Sequence, residues 1–188
     1  MADNNIIFIG MPAVGKSTVG VVIAKRLGYR FVDTDILIQE SEGKLLKDII
    51  ADVGPDGFLK VEDRVNAQVK AERTVISPGG SVVYCENAMK HYKEIGKVVY
   101  LQASFAFSNS FGLSYFDSIT LFTPSFETIN SRLKNAKGRG VVLRDGQTLK
   151  ALYDERVKLF EKYADITVCE DNQKLEDTIE SVLDALGE

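Results

Sequence analysis

Gly10-Met11-Pro12-Ala13-Val14-Gly15-Lys16-Ser17-Thr18 fits the pattern G-x-x-x-x-G-K-[ST] and stands directly after the apolar run Ile6-Ile7-Phe8-Ile9, whose residue types are those of a buried strand. Behind it, Val19, Val22, Ala24 and Leu27 recur at helical spacing until Gly28 stops them. Strand, glycine-bearing loop and amphipathic helix in that order make a phosphate cradle. Gly10 and Gly15 let successive backbone N–H groups converge on an anion, and the helix opening near Lys16 adds the positive end of its dipole. Gly10, Ala13, Val14, Gly15, Lys16, Ser17 and Thr18 are thus the expected nucleotide contacts. Lys16 would reach the β- and γ-phosphates from a solvent-facing position, and the Ser17 hydroxyl would ligate Mg²⁺. The competing reading of the same residues is an ordinary β–α turn that happens to contain glycine.

The 188 residues suffice for one domain with a full core, and the hydrophobic share of 45% is ordinary for a globular chain. A net charge of −4 and a pI near 5.2 argue against a sequence-independent nucleic-acid binder, which needs surplus Lys and Arg to displace counterions. Phosphate binding must therefore be local. Cys85 and Cys169 are far apart and belong to no metal-ligand spacing, and the opening Met-Ala-Asp-Asn-Asn lacks the basic and apolar parts of a signal peptide. A cytoplasmic protein is expected. No apolar run reaches the ~18 residues that would span a bilayer, so no membrane partner is expected either.

Tyr29-Arg30-Phe31-Val32 has the aromatic and β-branched content of a short strand and runs into Asp33-Thr34-Asp35. In an open α/β sheet ligands bind beyond the carboxyl ends of the strands, which places both acids in the crevice of the phosphate loop. The alternative is that one of them caps a helix beginning at Ile36. Two short helices follow, over Leu37 to Gly43 and Leu46 to Val53, closed by Gly54-Pro55. A longer helix is expected from about Pro55 to Glu72, with Phe58, Glu62, Val65 and Val69 on one face. Glu62 is a carboxylate on an apolar stripe and needs a partner, for which an Arg or Lys is the obvious candidate. The strand Thr74 to Ser77 ends in Pro78-Gly79-Gly80-Ser81, either a plain turn or a place where backbone comes close to a ligand.

A helix near Glu86 to Glu94 and a strand over Lys97 to Gln102 continue the alternation of a doubly wound parallel sheet. Residues 104 to 124 then break the order with six aromatic residues among serines, too apolar for a flexible linker. From Ser125 a helix turns Phe126, Ile129 and Leu133 inward and leads into Ala136-Lys137-Gly138-Arg139-Gly140, whose composition, continuing to Gly146, suits a mobile lid at about 136–148. The remaining elements are a helix over Thr148 to Lys162, a fifth strand over Asp165 to Val168 and a closing helix from Leu175 to Leu186.

In order and separation these landmarks resemble shikimate kinase, a small P-loop kinase of the nucleoside-monophosphate-kinase type. The resemblance runs over nearly the whole chain: the phosphate loop, Asp33-x-Asp35, Ile38 to Gly43, the Gly54…Phe58…Glu62 spacing, Gly79-Gly80, Arg132…Arg139, and Arg156…Ala164-Asp165. It implies a P-loop kinase fold, a five-stranded doubly wound sheet flanked by helices with a mobile lid, and the ATP- and Mg²⁺-dependent phosphorylation of the 3-hydroxyl of shikimate. It further implies that Asp35 grips the acceptor hydroxyls and serves as base, and that Asp33 holds Mg²⁺ through water. Gly79 and Gly80 would line the acceptor pocket, Arg156 bind the acceptor carboxylate, Arg139 close on the transferring phosphate and Arg132 pack on adenine. A monomer is expected. Each arginine could instead be a solvated surface cation.

Three positions depart from the family pattern. Leu59 stands where an arginine follows the phenylalanine of Phe-Arg-x-x-Glu, which halves the clamp on the acceptor carboxylate; Lys60 and Arg64 are the nearest substitutes, although helix geometry turns them away. Ser81 replaces the third glycine of Gly-Gly-Gly. About twenty residues up to Pro124 look inserted where the family passes quickly from strand to helix, and Ile119 to Phe126 echoes Val98 to Phe105. Two alternatives stay open on the sequence: a kinase for another sugar acid or polyol such as gluconate, and a nucleotide-binding regulatory protein without catalysis, against which Lys16, Ser17, Asp33, Asp35 and Arg139 all count.

Overall fold

The computed structural model describes residues 5–102, 148–169 and 174–188. Strands β1 (Asn5–Ile9), β2 (Arg30–Asp33), β3 (Thr74–Ser77), β4 (Gly96–Gln102) and β5 (Ile166–Cys169) alternate with helices α1 (Lys16–Leu27), α2 (Thr34–Glu42), α3 (Leu46–Asn66), α4 (Glu86–Ile95), α5 (Leu149–Tyr163) and α6 (Leu175–Leu186). A short 3₁₀ turn covers Val82–Tyr84. The strands form one parallel sheet in the order β2-β3-β1-β4-β5. β1 is central, so helices cover it on both faces and every one of its residues is buried, which is why its sequence is an unbroken apolar run rather than an alternation.

Two polar residues pin the ends of this sheet. Asn5 is buried and donates its Nδ2 to the carbonyls of Ala71 (2.8 Å) and Ile95 (3.0 Å), while its Oδ1 accepts from Thr74 N (3.0 Å). It thereby ties the starts of β3 and β4 to β1. Asp165 does the same between β4 and β5, accepting from Val98 N at 2.9 Å and pairing with Lys93. On the far side, Phe160 of α5 stacks on Tyr100 of β4 with ring centroids 5.0 Å apart.

From β1 the chain crosses to β2 on one side; from β3 it crosses to β4 on the other. β1 and β3 are neighbours, so the loops at their carboxyl ends diverge and leave a crevice between them. This is where the phosphate loop and Pro78-Gly79-Gly80 meet.

Local structure departs from the sequence expectation in three places. α2 begins at Thr34, two residues early, because Asp33 is its N-cap. The helix before Gly54-Pro55 and the helix after it form one kinked element: Gly54 (φ 69, ψ 177) leaves helical geometry for a single residue and Pro55 opens the second leg. α3 then stops at Asn66 instead of Glu72. The Asn66 side chain is fully buried, donates back to the Glu62 carbonyl at 2.7 Å and accepts from Tyr92, an arrangement that competes with continuing the helix. The aromatic-rich stretch 104–124, the helix expected from Ser125, Arg132, Arg139 and the lid up to 147 lie outside the described residues. No helix among the described residues is long and apolar enough to cross a membrane.

Candidate active site

The phosphate loop is a chain of unusual backbone conformations. Gly10 has φ 152, and a Cβ there would come within 2.7 Å of the Leu101 carbonyl; Ala13 (φ 65) and Gly15 (φ 114) also have positive φ. An alanine held there is a strained residue, a kind that clusters at ligand clamps. Val14 N bonds back to Met11 O at 3.3 Å, and Val19 N to Gly15 O at 2.9 Å begins α1. Ser17 and Thr18 are exposed, whereas Val14 is buried.

Lys16 corrects the expectation of a solvent-facing amine. It is 7% exposed, and its Nζ donates to the carbonyls of Gly10 and Met11, each at 3.0 Å. An ammonium in a dry loop needs acceptors, and here the loop's own carbonyls supply two.

At the end of β2 both readings of the first acid hold together. Asp33 Oδ1 accepts from Asp35 N at 3.1 Å and caps α2, while its Oδ2 accepts from the Ser17 hydroxyl at 3.0 Å. Ser77 Oγ lies 3.2 Å from Ser17 Oγ. Ser77 was not singled out from the sequence, although it had a signal: it is the last residue of β3, the same station that Asp33 occupies on β2. Three hard oxygen ligands from three elements, including one carboxylate, suit Mg²⁺, which takes few protein ligands and completes its shell with water and substrate phosphate. No cluster of three or more acidic, His or Cys side chains among the described residues could hold a metal alone.

Asp35, two residues on in the first turn of α2, faces the same crevice. Burial, and then the charge of Asp33, push its carboxyl up to about 6, with Lys16 pulling the other way. A Cβ on Gly79 would meet Glu62 Oε1 at 2.6 Å and Asp35 Oδ1 at 3.1 Å, so only glycine lets both carboxyls close on this backbone. A Cβ on Gly80 would run into the Pro12 ring at 2.7 Å, which locks the turn after β3 against the phosphate loop.

Glu62 is fully buried, and the arginine or lysine partner expected for it makes no ion pair with it among the described residues. Cys85 Sγ lies 3.8 Å from its Oε2, while Oε1 has no hydrogen-bond partner among the described residues. Burial pushes this carboxyl up to about 7; the Ser81 hydroxyl and the Arg156 charge favour its ionised form, and the Asp35 charge opposes it.

Arg156, expected from the sequence as an acceptor ligand, is 4% exposed. Its guanidinium carbon lies 5.4 Å from the centroid of the Tyr84 ring, and its Nε lacks a hydrogen-bond partner among the described residues. Leu59 is half-buried and packs on the main core. Neither nearby cation replaces the missing arginine: Arg64 pairs with Glu42 at 2.6 Å on the outer face of α3, and Lys60 is exposed.

A strained phosphate loop with a buried lysine, a hydroxyl–carboxylate pair beside it and a second carboxylate of raised pKa, at the carboxyl ends of a 2-3-1-4-5 parallel sheet, define a P-loop kinase of small-molecule type. A family model described as shikimate kinase matches residues 12–108. Two curated shikimate kinases are 31% identical over 180 residues (Sulfurihydrogenibium sp., 95% of each chain) and 32% identical over 173 residues (Clostridium botulinum, 90% of this chain and 89% of the relative). The solved shikimate kinase of Aquifex aeolicus is 28% identical with a TM-score of 0.72, covering 97% of this chain and 96% of its own. The Acinetobacter baumannii shikimate kinase, solved in complex with shikimate, shares the fold at a TM-score of 0.76, covering 97% of this chain and 92% of its own, with 24% identity. The chain belongs to the shikimate kinase family.

Proposed function

We infer that this chain transfers the γ-phosphoryl group of ATP to the 3-hydroxyl of shikimate, giving shikimate 3-phosphate and ADP. The observation that carries the reading is the placement of Asp35 against Gly79, in the same crevice as Lys16, in a member of this family. Phosphoryl transfer asks mainly for alignment and for neutralisation of charge on the transferring group. The backbone N–H groups of residues 13–18 would wrap the phosphates, and the Lys16 ammonium would exchange the carbonyls of Gly10 and Met11 for phosphate oxygens. Ser17 and Asp33, with Ser77 beside them, would hold Mg²⁺. When bound, the ion supplies positive charge at the β- and γ-phosphates.

Asp35 with an apparent pKa near 6 is ionised at neutral pH and still basic enough to accept the proton of the attacking hydroxyl. Arg156 would meet the acceptor carboxylate, for which its buried Nε remains a donor in search of an anion. Arg139 would close on the transferring phosphate and Arg132 pack on adenine, roles that rest on the family resemblance. The buried Cys85 is a thiol rather than half of a disulfide, in keeping with a cytoplasmic site of action. ADP release, coupled to a chromogenic readout and measured over a panel of shikimate, quinate, gluconate and simple polyols, tests the proposal. Turnover of shikimate above the others supports it; a preference for another acceptor by kcat/KM overturns the acceptor assignment.

A further inference from the structure

Among the described residues, Glu62 is a fully buried acid for which the catalytic scheme has no use. It lies three residues after Leu59, which puts the two side chains on one face of α3, and Cys85 Sγ lies 3.5 Å from the Leu59 backbone carbonyl and 3.8 Å from Glu62 Oε2. An arginine at 59 would give Glu62 its counter-ion. With leucine there, the carboxyl is fully buried and its Oε1 is left without a hydrogen-bond partner among the described residues. That oxygen lies against Gly79, which the family resemblance places in the acceptor pocket: a Cβ built there would come within 2.6 Å of it and 3.1 Å of Asp35 Oδ1.

The groups around Glu62 come from four directions. Asp35 of α2 repels its charge; Ser81, in the turn after β3, and Arg156 of α5 favour that charge. Cys85 and Tyr92, at the start and on the inner face of α4, are held neutral, both pushed up by burial and by the Glu62 charge itself. Among the described residues, the Arg156 charge does not offset full burial and a neighbouring carboxylate, so the neutral form of Glu62 persists to about pH 7.

We propose that Glu62, in its protonated form, takes over from the missing cation at position 59 by donating a hydrogen bond to the acceptor's carboxylate, so that this chain takes up a proton when it binds its anionic acceptor. The proposal rests on the acceptor assignment made above and deepens it. An ionised Glu62 beside an ionised Asp35 would repel an acceptor carboxylate; a protonated one offers an O–H donor to it, a hydrogen bond of the charge-assisted class. The proton bound to Oε stays on Glu62 in the complex and no covalent bond changes. Acceptor affinity must then be constant below the Glu62 pKa and fall tenfold per pH unit above it.

The test is titration of the full chain with shikimate by calorimetry from pH 6 to pH 8.5, in buffers of different ionisation enthalpy, alongside Glu62→Gln and Leu59→Arg. For the wild type we expect an affinity loss of about tenfold between pH 6 and pH 8, with uptake approaching one proton per shikimate at the upper end. Glu62→Gln, which keeps a neutral donor, should bind at every pH about as the wild type does at pH 6. Leu59→Arg should also flatten the profile, by restoring the counter-ion. A parallel NMR titration of ¹³C-labelled glutamate follows the Glu62 carboxyl without any acceptor. A Glu62 carboxyl that titrates in the ordinary carboxylate range, or a pH slope that persists in Glu62→Gln, overturns the proposal. Failure of shikimate to bind at any pH while Glu62 titrates near 7 overturns the acceptor assignment, and with it this contact.

Discussion

The Ser17 hydroxyl donates to Asp33 Oδ2 at 3.0 Å, which ties the first turn of α1 to the carboxyl end of β2 and leaves Asp33 with two tasks. Its other oxygen caps α2, so removing the side chain and removing only its charge have different results. Asp33→Ala should lower stability by about 1 kcal/mol through loss of the cap. Asp33→Asn keeps a good capping residue and should melt near the wild type. Both should need several-fold more Mg²⁺ for half-maximal rate, since each loses an anionic ligand. Thermal melts and Mg²⁺ titrations of ADP release separate the tasks; a normal Mg²⁺ requirement in Asp33→Asn would remove Asp33 from the metal site.

The buried seat of Lys16 changes what its removal does. Lys16→Ala should cut kcat by 10²-fold or more, about the loss expected when a principal charge on the transition state is taken away. It should also cost about 1–2 kcal/mol of stability, because the Gly10 and Met11 carbonyls lose their donor. Circular dichroism melts should therefore show a drop of a few degrees. Wild-type turnover would end the kinase reading; an unchanged melting temperature would show that water replaces the ammonium without loss.

Asp35→Asn should lower kcat by about 10²- to 10⁴-fold while ATP affinity stays near the wild type, because its partner is the acceptor hydroxyl. Equal losses in nucleotide affinity and rate would make it part of the nucleotide site instead.

The elements of this fold were legible because the parallel sheet writes itself in unbroken apolar runs and each βα unit has its own punctuation. β1, β3, β4 and the closing helix fall where the residues put them to within a residue or so. What was not legible is what depends on tertiary partners. The end of α3 at Asn66 is set by Tyr92 and by a back-bond to Glu62, neither of which has a local signature. The buried seat of Lys16 has no local signature, because its loop's carbonyls converge only once the chain has turned through positive φ at Gly10, Ala13 and Gly15. Ser77 enters the site only through the register that brings β3 level with β2, where Asp33 pairs with Ser77. Glu62 could be flagged as an anomaly on an apolar stripe, but the expected cation makes no ion pair with it among the described residues, and Leu59 stands three residues earlier where the family pattern has an arginine.

Glu62 makes a stability prediction with a definite sign. Its carboxyl rises from 4.5 to about 7 on folding, so the folded state holds the proton more tightly than the unfolded chain does. Stability contributed by the neutral carboxyl is fully present below pH 4.5, falls as pH rises toward 7, and is lost above it. A rise of that size corresponds to roughly 3 kcal/mol. Glu62→Gln should thus be clearly more stable than the wild type at pH 8 and nearly equal to it at pH 4.5. Urea melts at the two pH values measure the difference; a Glu62→Gln effect independent of pH would mean that the carboxyl is neutral, or charged, throughout.

Leu59→Arg bears on the acceptor most directly. Among the described residues, Arg156 is the arginine expected at the acceptor carboxylate, while Arg64 is paired with Glu42 and Lys60 is exposed. A restored guanidinium at 59 would stand on the same face of α3 as Glu62, pair with it, and present further N–H donors to the acceptor carboxylate. One charge-assisted hydrogen bond gained in a pocket that excludes water is worth roughly 1.5–3 kcal/mol, or about a ten- to hundredfold lower KM for shikimate. The KM for ATP should hardly change, since the phosphate loop lies on the other side of Gly80. Because Leu59 is packed on the core, the variant also loses apolar contact, so its melting temperature must be measured beside its kinetics. A folded Leu59→Arg protein whose shikimate KM is unchanged or higher, together with faster turnover of another acid or polyol by the unmodified chain, would show that the pocket was shaped around leucine for a different acceptor.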